Sequence, residues 1–179
     1  GHSAVGHTRY STTGSVVVDN AQPMMAMFNG EPVAIVHNGN LINTEELREA
    51  CIKRGHIFKG TSDTEVIAAL IEDADETEIE EAILGIMGII RGAYSLVFLT
   101  KDKMIAVRDP MGIRPLVVGK LDVGGYVVSS EDCAFTVVGA TFSREVLPGE
   151  LLTIDASGTH TRVFIQQSEC QGACSFEYI

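Results

Sequence analysis

Positive charge is scarce in this sequence. Thirteen Lys and Arg residues stand against 24 Asp and Glu residues, which gives a net charge of −11 over 179 residues. A protein that binds nucleic acid needs a basic face for the phosphates, so we expect no nucleic-acid partner. No apolar run is long enough to cross a bilayer, and no signal-like segment opens the sequence. We therefore expect no membrane association.

Cysteine is also sparse, with four residues in the whole sequence. Four cysteines in a chain of this size do not form the dense framework of a disulfide-stabilised secreted protein. Cys51 and Cys133 fall in apolar patterns and are expected to be buried thiols, and the acidic neighbours of Cys133 argue against a nucleophile. Cys170 and Cys174 form an isolated C-x-x-x-C without a second ligand pair. This pattern favours a reducing, cytoplasmic compartment.

Repeats, low-complexity tracts and a G-x-G-x-x-G motif are absent. Start signals predict three helices, opening at Asn43, at the capping box that begins with Ser62, and at Thr77, with the third ending at Gly92. After Gly92 the apolar period changes from about 3.6 to 2, which predicts three hairpins with turns near residues 101, 123 and 157. Early helices and late hairpins indicate one layered α+β domain rather than a parallel sheet.

Three polar clusters interrupt the apolar segments: His7 to Tyr10, His37 to Gly39, and Thr61 to Asp63. The first follows a short predicted strand, the second follows the predicted strand Val33–Val36, and the third opens a helix. Side chains at such positions can converge over the edge of a sheet. The clusters therefore predict one shared site with both charged and neutral groups.

The residue types in these clusters match the two ends of an amino acid. Arg9 offers a guanidinium fork suited to a carboxylate, and Asp63 offers an anion for an ammonium group. The side chain of Asn38 and the backbone N–H of Gly39 are two neutral donors suited to a developing oxyanion. Together they would hold a zwitterionic amino acid and polarise a carbonyl farther along it.

Each of these residues also fits a simpler role. Asn38-Gly39 is the strongest short signal for a hairpin turn, and Asp63 lies in a capping box, where it can simply satisfy N–H groups at a helix start. Arg9 can pair with one of many surface acids. His7 and His37 flank apolar residues, as histidines of a core do. The residues alone leave these alternatives open.

Six segments carry a family resemblance: "GHTRYSTTG", "HNGNLIN", "TSDTEVI", "RDPMGIRPLVVG", "SSEDCAF" and "LPGELLTI", in this order. The sequence resembles the class II glutamine amidotransferase domain, and within it the amidophosphoribosyltransferases of purine biosynthesis. The resemblance implies the four-layer αββα sandwich of N-terminal-nucleophile hydrolases, with two stacked antiparallel sheets. It assigns residues 1–168 to this domain, without its N-terminal strands, and residues 169–179 to the start of a connection to a phosphoribosyltransferase domain.

The resemblance also implies roles for single residues. Arg9 would bind the α-carboxylate of glutamine and Asp63 its α-ammonium group, while Asn38 and Gly39 would form the oxyanion hole. Residues 9–20 would form a lid over glutamine. The complete set of expected substrate-binding residues is Thr8, Arg9, Tyr10 and Asp63.

One departure from the family concerns the nucleophile. The family uses an N-terminal cysteine whose own α-amine acts as general base. This sequence opens with Gly1-His2-Ser3, and no cysteine stands at the position of the motif. We therefore expect a fragment that lacks the nucleophile, binds glutamine weakly at best and does not hydrolyse it.

The implied partners are L-glutamine, a covalently linked phosphoribosyltransferase domain and further copies of the protein in a homo-oligomer. The parent enzyme would use Mg²⁺ with phosphoribosyl pyrophosphate, and in some members a 4Fe–4S cluster, for which Cys174 is a candidate ligand. We expect no metal or cofactor in this chain itself. The alternatives are a glutaminase domain of another class II amidotransferase, such as a glucosamine-6-phosphate synthase, and a non-catalytic module that binds an amino acid.

Overall fold

The computed structural model describes residues 2–8, 17–165 and 172. The helices within these ranges are α1 (Thr44–Lys53), α2 (Asp63–Glu72), α3 (Ile79–Met87) and α4 (Cys133–Val138). The strands are β1 (Met24–Phe28), β2 (Glu31–Leu41), β3 (Gly92–Leu99), β4 (Met104–Arg108), β5 (Val117–Leu121), β6 (Tyr126–Ser129), β7 (Ala140–Glu145), β8 (Glu150–Asp155) and β9 (Gly158–Val163).

The strands form two antiparallel sheets. The large sheet has the order β1-β2-β3-β4-β8-β9, and the small sheet has the order β6-β5-β7. The three predicted hairpins are confirmed as the pairs β3–β4, β5–β6 and β8–β9. Every pairing of neighbouring strands is antiparallel. The predicted α+β class with two antiparallel sheets is therefore confirmed.

The first three helices pack on one face of the large sheet. Their buried residues, such as Ile67 and Ile83, form one core cluster with Ile35 and Phe98 of the sheet. This helical layer forms because each helix carries an apolar stripe at a spacing close to 3.6 residues. Within the described ranges, none of the helices combines the length and apolar character needed to cross a membrane.

The opposite face of the large sheet packs on the small sheet. A second core cluster joins the two sheets, and it includes Val36 and Val97 from the large sheet and Val118 from the small one. Gly119 follows Val118 and lies on the outer face of the small sheet. Phe135 of α4 packs on it so closely that a Cβ at Gly119 would lie 3.1 Å from the aromatic ring. The layers are therefore helix, sheet, sheet and helix, and the last layer is one short helix.

The predicted helix starts are correct to within two residues, but their capping contacts differ. Asn43 precedes α1, yet its side chain bonds the backbone of Ile89 and Arg91 rather than the helix. Ser62 caps α2 by accepting from the N–H of Thr64 at 3.0 Å. In a capping box, Glu65 would also accept from the N–H of Ser62, but its carboxylate accepts from the N–H groups of residues 59 and 60 instead.

Other boundaries needed correction. The third helix ends at Met87 rather than at Gly92, because Gly92 already begins β3. The strand predicted before His7 is not formed, since residues 2–8 have no regular secondary structure. The strand predicted as Val33–Val36 runs from Glu31 to Leu41 and so includes His37 to Gly39. The sequence analysis missed β1, α4, β7 and a short 3-10 helix at Val18–Asn20.

One prediction about buried side chains was wrong. Cys51 is a buried thiol as expected, but Cys133 is exposed because it lies in the first turn of α4, on the outside of the small sheet. His37 is a core residue, whereas His7 is only half-buried. The domain boundary predicted at residue 168 lies outside the described residues and stays a prediction.

The packing of α2 on the large sheet predicts a strong dependence of stability on Ile67, which is fully buried. Replacing Ile67 with Ala should lower the free energy of unfolding by about 2–5 kcal/mol, because the helix cannot fill the cavity left behind. Urea unfolding measures this loss. Ile57→Ala is the matched control, since Ile57 is 90% exposed and should change the midpoint little. Equal losses for the two variants would contradict the packing.

Candidate functional site

The central feature of the site is an edge of β2 beside which none of the strands in the described ranges lies. Pairing of β1 with β2 ends at Ile35, whereas pairing of β2 with β3 continues to Leu41. The backbone groups that face the β1 side after Ile35 therefore need other partners. This open edge, residues 36–41 of β2, carries the predicted His37-Asn38-Gly39 cluster.

Side chains take the place of the missing strand at two points of the open edge. The N–H of His37 donates to Oε1 of Gln22 at 2.6 Å, and Nε2 of Gln22 donates to the carbonyl of His37 at 3.3 Å. The N–H of Leu41 donates to Oδ2 of Asp63 at 3.1 Å. The chain before β1 and the start of α2 are thus both tied to the end of β2.

Gly39 lies between these two contacts. Because N–H groups alternate along an antiparallel strand, the N–H of Gly39 is directed toward the same side as those of His37 and Leu41. A side chain is excluded here, since a Cβ at Gly39 would collide with the carbonyl oxygen of Ala93 and lie 2.8 Å from Nε2 of His37. Asn38-Gly39 is therefore not a hairpin turn, and the backbone at Gly39 must stay bare.

Asp63 is a buried carboxylate with several donors around it. Its side chain is 8% exposed, and its Oδ1 lies 3.4 Å from Nδ1 of His37. Burial alone would raise the pKa of Asp63, but His37 and the N–H groups of Leu41 and Thr64 together lower that pKa below its ordinary value of 3.8. The carboxylate is therefore charged at neutral pH and keeps capacity to accept further hydrogen bonds.

Asn38 faces the seam between the two sheets. Its Oδ1 accepts from Nη2 of Arg114 at 2.8 Å, and its Nδ2 donates to Oγ of Ser130 at 3.1 Å. Arg114 lies in the connection from the large sheet to the small one, and Ser130 follows β6. The half-buried amide is thus held from both sheets.

The loop before α2 is fixed to the segment before β1 by Asn20. This fully buried residue accepts through Oδ1 from the N–H groups of Thr61 and Ser62, at 2.8 and 3.0 Å. Arg48 of α1 donates to the carbonyl of Ser62 at 2.9 Å from the other side. These contacts set the position of Asp63 relative to β2.

The structure brings three of the predicted site residues to the end of β2. Asn38 and Gly39 belong to the open edge, and Asp63 is bonded to it. Asn38 and Asp63 lie on opposite faces of the strand, the first toward the small sheet and the second toward the helices. Thr8 is described and exposed. Arg9, Tyr10 and Cys174 lie outside the described residues, and their roles stay predictions.

Sequence reasoning missed Gln22, Arg114 and Ser130. Gln22 lies in a segment without periodicity, so no signal pointed to it. Arg114 belongs to the segment "RDPMGIRPLVVG", which contributed to the family resemblance without a role for this residue. Ser130 is 92 residues from its partner Asn38. Contacts at such separations leave no local pattern in a single sequence.

The described residues do not fit the metals implied by the family. Among them, no three His, Cys, Asp or Glu side chains are grouped so that they could hold a metal ion. The two cysteines among the described residues, Cys51 and Cys133, lie in different helices. No step of the chemistry of this site is therefore assigned to a metal.

The lowered pKa of Asp63 predicts a pH-dependent contribution to stability. A carboxyl group with a lowered pKa stabilises the folded chain above 3.8 and loses this contribution as the pH falls through the lower, folded value. The difference in unfolding free energy between the wild-type chain and Asp63→Asn should be constant near about pH 6 and shrink below about pH 4. Urea unfolding across this range measures it.

The matched comparison uses a His37→Gln background. His37 is a principal cause of the lowered pKa of Asp63. In the His37→Gln background, the difference in unfolding free energy caused by Asp63→Asn should therefore depend less on pH. A wild-type difference that stays constant down to about pH 3 would contradict the assignment.

Comparison with known proteins identifies the family of the chain. A family model described as a glutamine amidotransferase domain matches residues 7–137. The chain is 41% identical to amidophosphoribosyltransferase 1, chloroplastic, of Arabidopsis thaliana, and 41% identical to the amidophosphoribosyltransferase of Bacillus subtilis. All of this chain is aligned in both cases, but only 31% and 37% of those relatives. The chain thus spans about a third of their length.

A solved structure gives the same result. The glutamine phosphoribosylpyrophosphate amidotransferase of Bacillus subtilis, complexed with ADP and GMP, matches with a TM-score of 0.85 and 39% identity. The match covers 96% of this chain and 37% of that one. The layered fold is therefore that of an N-terminal-nucleophile hydrolase. Because the family model covers most of the sequence, the chain belongs to the glutamine amidotransferase domain family.

Proposed function

We propose that this chain is the glutamine-binding part of an amidophosphoribosyltransferase. In such an enzyme, ammonia released from glutamine reacts with phosphoribosyl pyrophosphate to give phosphoribosylamine for purine biosynthesis. The observation that carries the proposal is the open edge of β2, where Asn38, Gly39 and Asp63 meet. The relatives that share 41% of their aligned residues with this chain are named for that activity.

The site suits the two ends of glutamine. The α-ammonium group would be held by Asp63, which is charged at neutral pH and buried enough for a strong ion pair. Arg9 would bind the α-carboxylate, as expected from its guanidinium. The side-chain amide of glutamine would then lie toward Asn38, and its carbonyl oxygen would accept from Asn38 and from the N–H of Gly39.

These two donors would act when the amide is attacked. A thiolate adds to the amide carbon, and the carbonyl oxygen becomes an oxyanion that Asn38 and Gly39 stabilise. The carbon–nitrogen bond then breaks, the nitrogen takes a proton and leaves as ammonia, and water hydrolyses the remaining thioester to glutamate. Water-excluding walls would keep the ammonia unprotonated on its way to the acceptor.

The described cysteines do not have the properties of the attacking thiolate. Burial raises the pKa of Cys51, and a hydrogen bond to Glu131 raises the pKa of the exposed Cys133. Both effects favour the unreactive thiol. In the proposed enzyme, the attacking thiolate would be that of the N-terminal cysteine that the family uses.

The remaining features of the proposal concern the surroundings of the domain. A linked phosphoribosyltransferase domain fits the fact that the chain spans about a third of its relatives, and Mg²⁺, phosphoribosyl pyrophosphate and any iron–sulfur cluster would belong to that part. A homo-oligomer is also proposed. A reducing compartment such as the cytoplasm fits the thiols of Cys51 and Cys133, and relatives such as the one from Arabidopsis thaliana are named as chloroplastic.

The oxyanion role of Asn38 predicts a loss of turnover. In a full-length enzyme that carries this chain, Asn38→Ala should lower kcat for glutamine hydrolysis by about 100-fold or more, because one of two donors to the oxyanion is removed. Synthesis of phosphoribosylamine from added ammonia should continue, which checks that the enzyme is folded. Asn29→Ala is the control, since Asn29 bonds the loop before α3. Near-normal turnover of Asn38→Ala would refute the oxyanion role.

The ammonium role of Asp63 predicts a loss of affinity instead. In the same enzyme, Asp63→Ala should raise KM for glutamine by about 10- to 100-fold, the cost of one charged hydrogen bond. Asp73→Ala is the matched control, because Asp73 lies at the other end of α2 and pairs with Arg54. The assignment fails if KM for glutamine is unchanged while thermal unfolding shows Asp63→Ala to be folded.

A further inference from the structure

The geometry points to Arg114 and Ser130 as positioning residues that orient the Asn38 amide toward the oxyanion. This inference rests on the proposed function and adds to it two residues with no direct contact to glutamine. It starts from the two hydrogen bonds of Asn38, one to each residue. Both hydrogen bonds lie where the large sheet meets the small sheet.

The bond to Arg114 fixes which way round the amide lies. A guanidinium group has only donors, so the amide oxygen of Asn38 must face it and the amide nitrogen must face away. Oδ1 accordingly lies 2.8 Å from Nη2 of Arg114. Without this cation, the amide could rotate by about 180° with almost no change of shape. Its oxygen would then take the place of its nitrogen and face the oxyanion, which it would repel.

Ser130 uses one of the two hydrogens on the amide nitrogen. Nδ2 of Asn38 donates to Oγ of Ser130 at 3.1 Å, which leaves its second hydrogen for a ligand. The positive charge of Arg114 on the amide oxygen also draws electron density from the amide nitrogen. The second N–H of Asn38 therefore becomes a stronger hydrogen-bond donor. Arg114 and Ser130 thus set both the direction and the strength of that hydrogen bond.

The backbone that carries Arg114 is held on several sides. Its carbonyl oxygen accepts from Nε of Arg108 at 2.9 Å and from Oγ of Ser95 at 3.0 Å. The preceding turn is closed by Asp109, whose carboxylate accepts from the N–H groups of Met111 and Ile113. A residue can orient another only when its own base is fixed, and this turn meets that condition.

This role predicts an effect on turnover rather than on binding. The oxyanion exists only after the thiolate attacks, so a misdirected donor raises the energy of the transition state and leaves bound glutamine almost unaffected. A purely structural bridge between the sheets would instead change stability, or KM and kcat together. The ratio of the two kinetic effects therefore separates positioning from structure.

The test is a double-mutant cycle on glutamine hydrolysis in a full-length enzyme that carries this chain. Arg114→Met should lower kcat by about 10- to 100-fold, less than the loss of Asn38 itself, with KM for glutamine within about twofold of wild type. Arg114→Lys should recover part of the activity, because a positive donor is kept. In the Asn38→Ala background, Arg114→Met should have no further effect, since the group it orients is gone.

Two more variants complete the design. Ser130→Ala should lower kcat by a smaller factor than Arg114→Met, and it too should have no effect in the Asn38→Ala background. Arg162→Met is the control, because Arg162 pairs with Glu81 at the opposite edge of the large sheet. If thermal unfolding shows that Arg114→Met does not fold, the double-mutant cycles use Arg114→Lys and Ser130→Ala instead, each combined with Asn38→Ala.

The outcomes separate this inference from the proposed function. Normal turnover of Asn38→Ala itself would refute the oxyanion site and, with it, the proposed function. A large effect of Asn38→Ala combined with independent, additive effects of Arg114→Met and Ser130→Ala would overturn only the positioning role. A rise in KM for glutamine without a fall in kcat would overturn it as well.

Discussion

The site depends on backbone groups that the large sheet leaves unpaired. Beyond Ile35, no strand of the described part of the chain pairs with the side of β2 that faced β1, and a buried N–H without a partner costs about 1–3 kcal/mol. Side chains of Gln22 and Asp63 satisfy this edge at His37 and Leu41. The same contacts dock the start of α2 and the chain before β1 onto the strand. The fold and the site therefore arise from one constraint.

The structural contact of Asp63 also suits its proposed role in binding. Its hydrogen bond to the N–H of Leu41 holds the start of α2 against β2. The same bond and the nearby His37 keep the carboxylate charged despite its burial, which is the state that an ammonium group requires. The capping role and the binding role, which the sequence alone left as alternatives, are therefore compatible.

Local patterns predicted more of the fold than of the site. The change of period at Gly92 predicted the hairpins, because side chains alternate along every strand. β1 and β7 were missed because apolar residues stand at their exposed positions, so apolar and polar residues do not alternate along these strands. The exposed apolar residues are Met25, Met27 and Phe142. The polar residues at the end of β2 were predicted as site residues, but the contact of Arg114 with Asn38 was not predicted, because it spans 76 residues.

The alternation of β2 also shows how one strand could serve both ends of the proposed ligand. Asn38 points toward the small sheet and is held there by Arg114, while Asp63 approaches from the helices on the other side. Between them, Gly39 carries no side chain, because the carbonyl of Ala93 leaves no room for a Cβ. A ligand that touches both groups must therefore pass along the bare backbone of Gly39. Within the described residues, a charged group, a neutral amide and a backbone N–H therefore meet at the end of β2.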